Sequence, residues 1–209
     1  MKLIFELKNI GKKRLEKIMK IRTFIAFELR DDKTVRSLFD FSSKLKNIQT
    51  KIKIVEPENY HITMKFLGNI EESQAKVIYN LITNHINNEF FKEGLKKYSL
   101  KGVGEFKGYS TIWVRLIGDI QFLQEIKDTL ENLLKSQLNI EKDKRKIFKP
   151  HLTIGRLKSN KINYKNFDDF KNLIKQNKNL DLGEFTIDKL VLKKSDLTSK
   201  GPIYSTLSY

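Results

Sequence analysis

The chain has 209 residues, with 39% hydrophobic residues and 14 Phe, which is enough to bury the core of one large domain or two small lobes and excludes wholesale disorder. A charged fraction of 32% and the lack of any 18-residue apolar run exclude an integral membrane protein. With no Cys and three His, disulfide scaffolds, thiolate metal sites and thiol catalysis are excluded, and a histidine-built metal cage would need nearly every imidazole.

Residues 1–20 read as an N-terminal extension. MKLIFELKNI is too short and too charged for a signal peptide, the basic GKKRLEKIMK follows, and Met19 is a plausible alternative start. Residues 22–29 (RTFIAFEL) are β-branched and aromatic and predict a buried strand. Asp32 then caps a helix with Val35, Leu38, Phe39 and Leu45 at apolar positions. A short strand 51–55 precedes YHITMKFLG (60–68), a strand expected to end at Gly68. Residues 71–87 predict a second helix with Ile78, Leu81, Ile82 and Ile86 on one side; His85 falls near that stripe and reads as structural. The second half repeats the order: strand 111–116, helix from Phe122 to Leu134, strand HLTIGRL (151–157), helix around Phe167–Ile174. FTIDKLVLKKSDL (185–197) and GPIYSTLSY (201–209) read as extended segments. The interval from Thr23 to His61 nearly equals that from Thr111 to His151, so the pattern predicts an α+β fold. It is a bilobal pseudo-two-fold duplication, a single domain over 21–209, with antiparallel sheets lining a central cleft and helices packed outside.

The formal net charge of +16 suits a polyanionic partner, nucleic acid or an anionic surface, and equally suits solubility with a Lys- and Asn-rich codon bias, so charge alone does not choose between them. Between Lys142 and Lys149 five bases face one acid, directly before the second histidine strand.

Two of the three histidines are followed two residues later by Thr, each within an apolar strand: His61-Ile62-Thr63-Met64 and His151-Leu152-Thr153-Ile154. In a strand, residues i and i+2 share a face, so each His projects with its Thr while the aliphatic neighbours point to a core. Brought together across a pseudo-two-fold, two imidazoles supply acid and base near neutral pH, and two hydroxyls donate to phosphate oxygens. A strained 2',3'-cyclic phosphate suits such a site, and no metal is needed if the leaving alkoxide is protonated as it departs. A half-buried strand also tolerates His and Thr on its wetter face, but the recurrence at equivalent repeat positions favours function.

FIAFEL, HITMKFLG, FKPHLTIGRL and LKKSDLTSKGPIY together resemble the two-histidine (2H) phosphoesterases, in their RNA 2',3'-cyclic phosphodiesterase or 2'-5' RNA ligase branch, from Ile21 to Tyr209. The extension before Met19 is a departure from that family. The resemblance implies hydrolysis of RNA 2',3'-cyclic phosphate ends to 2'-phosphates, with reversible 2'-5' ligation. It also implies that His61 is the proton donor to the 3'-oxygen and His151 the acceptor that activates water, with Thr63 and Thr153 holding phosphate oxygens. Residue physics alone leaves the acid and base unassigned between the two.

Lys65 shares parity with His61 and Thr63, so it is a candidate phosphate or nucleotide contact, or a solvated strand-end lysine. Arg156 has the opposite parity to His151 and reaches substrate only if the strand twists or ends at Gly155. Phe148, among the clustered bases, is a candidate exposed substrate contact; Trp113 is either a stacking platform or, more simply, a core residue. Gly102-Val103-Gly104 lacks the Lys and helix of a phosphate loop, so no ATP site is read. No cofactor, metal or membrane partner is predicted, and a cytoplasmic monomer acting on RNA is the expectation. A 2H enzyme for a small cyclic nucleotide and a non-catalytic RNA-binding module are the competing readings.

Overall fold

The computed structural model describes residues 20–209 apart from Lys107 and Lys200, so residues 1–19 of the proposed extension, Met19 among them, lie outside the described residues, and its last residue, Lys20, instead begins the first strand. Strand β1 (Lys20–Glu28) leads into helix α1 (Asp32–Ile48), the short β2 (Lys53–Ile54) and β3 (His61–Glu71). Helix α2 (Glu72–Leu81) continues through a π-helical turn, Ile82–Asn87, and β4 (Lys96–Phe106) follows. The second half holds β5 (Thr111–Ile117), α3 (Ile120–Leu138), β6 (His151–Arg156) and α4 (Phe167–Gln176). Strands β7 (Asp181–Ile187), β8 (Val191–Leu197) and β9 (Pro202–Thr206) close the chain.

Local chemistry accounts for the helix boundaries. Asp31, one residue before the predicted cap, accepts from the Thr34 N–H at 2.8 Å, and Asp119 accepts from the Phe122 N–H at 2.9 Å. Glu71 and Gln74 form a reciprocal capping box at the start of α2. Helix α1 buries Leu38, Phe41 and Leu45 but leaves Phe39, an expected core position, on its outer side. His85 is exposed, since the π-helical turn moves it off the stripe formed by Ile82 and Ile86. Among the described residues no helix is long and apolar enough to cross a membrane.

All strand pairings are antiparallel, in the order β7-β4-β5-β6-β3-β1-β8-β9, with β2 beside β6. The predicted duplication is visible about an axis between β6 and β3: β5 matches β1, β4 matches β8, and β7 matches β9. Strands β3 and β6 meet through one residue pair, Ile62 with Leu152, and β2 adds two more pairs to β6, Lys53 with Arg156 and Ile54 with Gly155. Apolar residues from both halves and all four helices form one core behind the sheet. Strand β3 does not stop at Gly68; that residue takes φ +73° and the strand runs on to Glu71. The stretch 185–197 is broken rather than continuous. Asp188, Lys189 and Leu190 link β7 at one end of the order to β8 near the other. In a flat sheet those strands would lie ~29 Å apart at ~4.8 Å per step, whereas a three-residue link spans at most ~14 Å. The sheet is therefore strongly curled, and its inner face lines a cleft.

Candidate active site

The single pair joining β3 to β6 fixes the register of both His-x-Thr strands. With Ile62 opposite Leu152, His61 lies across from Thr153 and Thr63 across from His151. Ile62 and Leu152 are buried in the core, so the four polar side chains share the inner face of the sheet. Each histidine thus faces the other lobe's threonine across the two strands and shares a strand face with its own.

Both imidazoles are oriented in the same way. His61 Nδ1 lies 2.6 Å from the Asn59 carbonyl oxygen, and His151 Nδ1 lies 2.9 Å from that of Lys149. A carbonyl only accepts, so Nδ1 carries the proton and Nε2 is left as the reactive nitrogen in each ring. Burial lowers the pKa of both rings below the ordinary histidine value. The bonds to the two carbonyls oppose this, while the Arg156 charge adds to it at both; Lys193 also depresses His61, and Arg145 depresses His151. Both rings therefore hold their second proton less readily than a free imidazole does.

Aromatic rings hold the two imidazoles. Phe24 lies 4.9 Å from His61, and Tyr204 meets that imidazole edge-on at 5.4 Å. Phe106 meets His151 edge-on at 5.0 Å, with Trp113 at 6.3 Å. Burial raises the Tyr204 phenol pKa. Trp113 is half-buried against the second imidazole, on the inner face rather than in the core. Tyr204 and Phe106 carry no local signature in the sequence, because only the sheet order brings them to the histidines.

Matching β-bulges decide which later residues return to this face. The pairing of β1 with β3 slips at Met64, and that of β5 with β6 slips at Ile154. Met64 and Lys65 are both buried, as are Ile154 and Gly155, so Phe66 and Arg156 come back onto the inner face. Arg156, opposite in parity by counting, is thereby placed among the catalytic groups and donates to Thr111 Oγ1 at 3.2 Å. Phe66, its pseudo-symmetric counterpart, is 65% exposed beside Phe24.

The same bulge overturns the placement of Lys65. Its side chain is 3% exposed, and its ammonium bonds Glu131 at 3.0 Å, Asp143 at 2.7 Å and the Glu141 carbonyl at 2.8 Å. Lys127 joins this buried cluster through Glu131, Asp143 and the Met64 carbonyl. Lys65 is therefore a structural cation turned away from the cleft, neither a phosphate contact nor a solvated lysine. Phe148 also departs from expectation. It is half-buried against the core, its N–H bonds Gln124 at 2.7 Å, and Lys127 Nζ lies 5.7 Å from its ring. Asp143, the one acid in the basic run, ties that run to the cluster and leaves Lys144, Arg145 and Lys146 exposed.

Behind His61, Glu28 bonds Lys193, Arg30 (2.6 Å) and Thr206 (2.8 Å). Burial would raise the Glu28 pKa, but these hydrogen bonds outweigh it and hold the carboxyl at about 2. Strands β8 and β9 are thus pinned to β1 at the edge of the site.

A two-fold pair of His-x-Thr strands in a curled antiparallel sheet defines a two-histidine phosphoesterase. Residues 23–208 match the family described as the AKAP7 2'5' RNA ligase-like domain, and the chain belongs to that family. Curated relatives include RNA 2',3'-cyclic phosphodiesterases of Methanocaldococcus jannaschii and Methanothermobacter thermautotrophicus. The first is 34% identical over 90% of this chain and 98% of its own, the second 30% identical over 90% and 97%. Solved structures with the same fold include TT0787 of Thermus thermophilus, at TM-score 0.66 and 21% identity over 90% of this chain and 96% of that one. E. coli LigT complexed with phosphate aligns at TM-score 0.63 and 15% identity, over 90% and 95%.

Proposed function

We propose that the protein hydrolyses the 2',3'-cyclic phosphate at an RNA end to a 2'-phosphate, by acid–base catalysis with its two histidines. The observation that carries this reading is the paired Nδ1–carbonyl anchoring, which leaves two Nε2 atoms free on one face beside two threonine hydroxyls. The names of the curated relatives support the substrate class. In the assignment implied by family resemblance, His151 Nε2 takes a proton from water as its oxygen attacks phosphorus. His61, protonated at Nε2, gives its proton to the departing 3'-oxygen. Thr63 and Thr153 donate to the non-bridging oxygens, and Arg156 adds positive charge where the phosphorane becomes more negative. Replacing water by the 5'-hydroxyl of another RNA end gives a 2'-5' linkage through the same proton transfers.

The test is incubation with a 2',3'-cyclic-phosphate oligoribonucleotide and with the mononucleotide, in excess EDTA, with the product ends mapped. Full conversion to 2'-phosphate ends is expected, and His61→Ala and His151→Ala should each lower turnover by roughly 10²–10⁴-fold. Binding without turnover would favour an RNA-binding module. Turnover of the mononucleotide alone would favour a small cyclic nucleotide. Loss of activity in EDTA, restored by a divalent ion, would contradict the mechanism.

A further inference from the structure

A cavity of about 520 Å³ is lined by the Trp113 indole that meets His151, while none of the His-x-Thr side chains lines it. Its lining includes Gly104, Glu105, Trp113, Arg115, Lys175 and Lys178. Trp113 and Arg115 lie opposite Thr153 and His151 in the sheet register, so one wall of the cavity is the strand next to the second His-x-Thr motif. Its volume lies in the range of roughly 300–1,000 Å³ typical of small-ligand sites.

The cavity walls are held in place. Past Lys101, β4 no longer pairs with β7; instead the Gly102 N–H bonds the Leu180 carbonyl at 2.8 Å and the Val103 N–H bonds that of Asn177 at 3.0 Å. A Cβ on Gly102 would lie 2.3 Å from the Lys178 carbonyl oxygen, so this approach, at φ +86°, requires glycine. The segment carries Lys178 to the cavity. On the other wall the Trp113 indole packs on bare Gly104, and its Nε1 has no hydrogen-bond partner, so packing alone holds the ring. Among the described residues no carboxylate lies within ion-pair distance of Arg115, Lys175 or Lys178, and all three are exposed. The cavity's own carboxylate, Glu105, accepts from the Tyr109 N–H at 3.0 Å.

We propose that this cavity is the acceptor subsite for a second RNA, holding the nucleoside whose free 5'-hydroxyl replaces water in 2'-5' ligation. The inference rests on the function proposed above, with His151 as base. The nucleophile then enters from the His151 side, and the cavity lies on that side. Water needs no room beyond its own volume, whereas a nucleoside needs an aromatic wall and cations for the phosphate that follows it. The 5'-oxygen bonds to phosphorus as the bond from phosphorus to the 3'-oxygen breaks. His151 takes the 5'-hydroxyl proton, and His61 supplies one to the 3'-oxygen. The strained ring supplies the driving force, so no nucleotide cofactor is consumed.

Trp113 is the single tryptophan in the chain and lines both the cavity and the His151 imidazole, so its emission reports on the cavity once the reacting site is held saturated. With the reacting site saturated by a nucleoside 2'-monophosphate, a dinucleotide with a 5'-hydroxyl should change the Trp113 emission, and its 5'-phosphorylated form should not. The double variant Lys175→Glu, Lys178→Glu, altered only at exposed positions, should raise the KM for a 5'-hydroxyl acceptor roughly ten-fold or more. Its hydrolysis of the cyclic-phosphate mononucleotide should stay unchanged. An unchanged acceptor KM, equal losses of hydrolysis and ligation, or a wild-type protein that hydrolyses but never ligates would each overturn the subsite. A wild-type protein that does not hydrolyse the cyclic phosphate would instead overturn the function on which it rests.

Discussion

At the residue scale, the two imidazoles set the pH response. One must be neutral and the other protonated, yet burial lowers the pKa of both below the usual histidine value near 6.5. The doubly competent form of the free protein therefore peaks on the acid side of neutrality and disappears as the acid loses its proton at rising pH. A kcat/KM profile should be bell-shaped with its maximum below pH 6.5, and its two limbs belong to the coupled pair rather than to either residue. The kcat profile should lie higher, because a bound phosphate anion favours imidazolium; a kcat/KM maximum above pH 7 would contradict the burial argument. Lys65 gives the opposite kind of prediction. Lys65→Met leaves Glu131 and Asp143 with only Lys127, and losing one partner of a buried ion cluster costs roughly 3–5 kcal/mol, toward the low end here. Asp143, with its side chain 43% exposed, can be partly rehydrated. Chemical denaturation should register this loss while kcat/KM of the folded fraction stays close to wild type. A large fall in kcat/KM at unchanged stability would return Lys65 to the substrate. The His-x-Thr repeats were legible because they are local and period-two. Lys65 and Arg156 were misplaced or left open because parity counting assumes an unbroken ladder.

Bulges and glycines act at the scale of the element. A bulge adds one residue to one strand, and alternation cannot reveal it, since its cause lies in the partner strand's register. Most element boundaries were readable from periodicity and caps. The break at residues 188–190 was not, because β7 and β8 are both extended and apolar and only their partners differ. Gly104 sits where β4 passes under the Trp113 indole; an added Cβ would lie 2.3 Å from that ring. Gly104→Ala should therefore displace the indole, shift its emission and disturb the wall behind His151. Hydrolysis should fall while overall stability changes less. An unaltered emission spectrum would show that the ring does not rest on this glycine.

For the whole molecule, charge governs encounter with substrate. Lys144, Arg145 and Lys146 are exposed on a loop that Asp143 anchors, and the Arg145 charge reaches His151. An oligonucleotide that neutralises several such charges should bind with a log–log salt slope of about −0.7 per phosphate contacted. Reversing all three charges should flatten that slope and weaken oligonucleotide binding while sparing mononucleotide turnover. If both substrates respond alike, the loop does not touch RNA. The net charge suited a polyanion, but composition alone could not say which part of the basic run faces the cleft. The duplication, by contrast, was legible in motif and spacing, although the two repeats are not two separable domains. Strands β8 and β9, which follow both histidine motifs in the chain, complete the half that contains β1 and β3, which carry or precede the first motif. Tyr204 closes against His61, and Lys193 and Thr206 against Glu28. A nascent chain growing from its N-terminus at roughly 5–20 residues per second therefore carries both histidine motifs well before it can shelter the first. Sheltering of the first histidine therefore waits on the β8–β9 hairpin, which follows both motifs in the chain and packs beside β1.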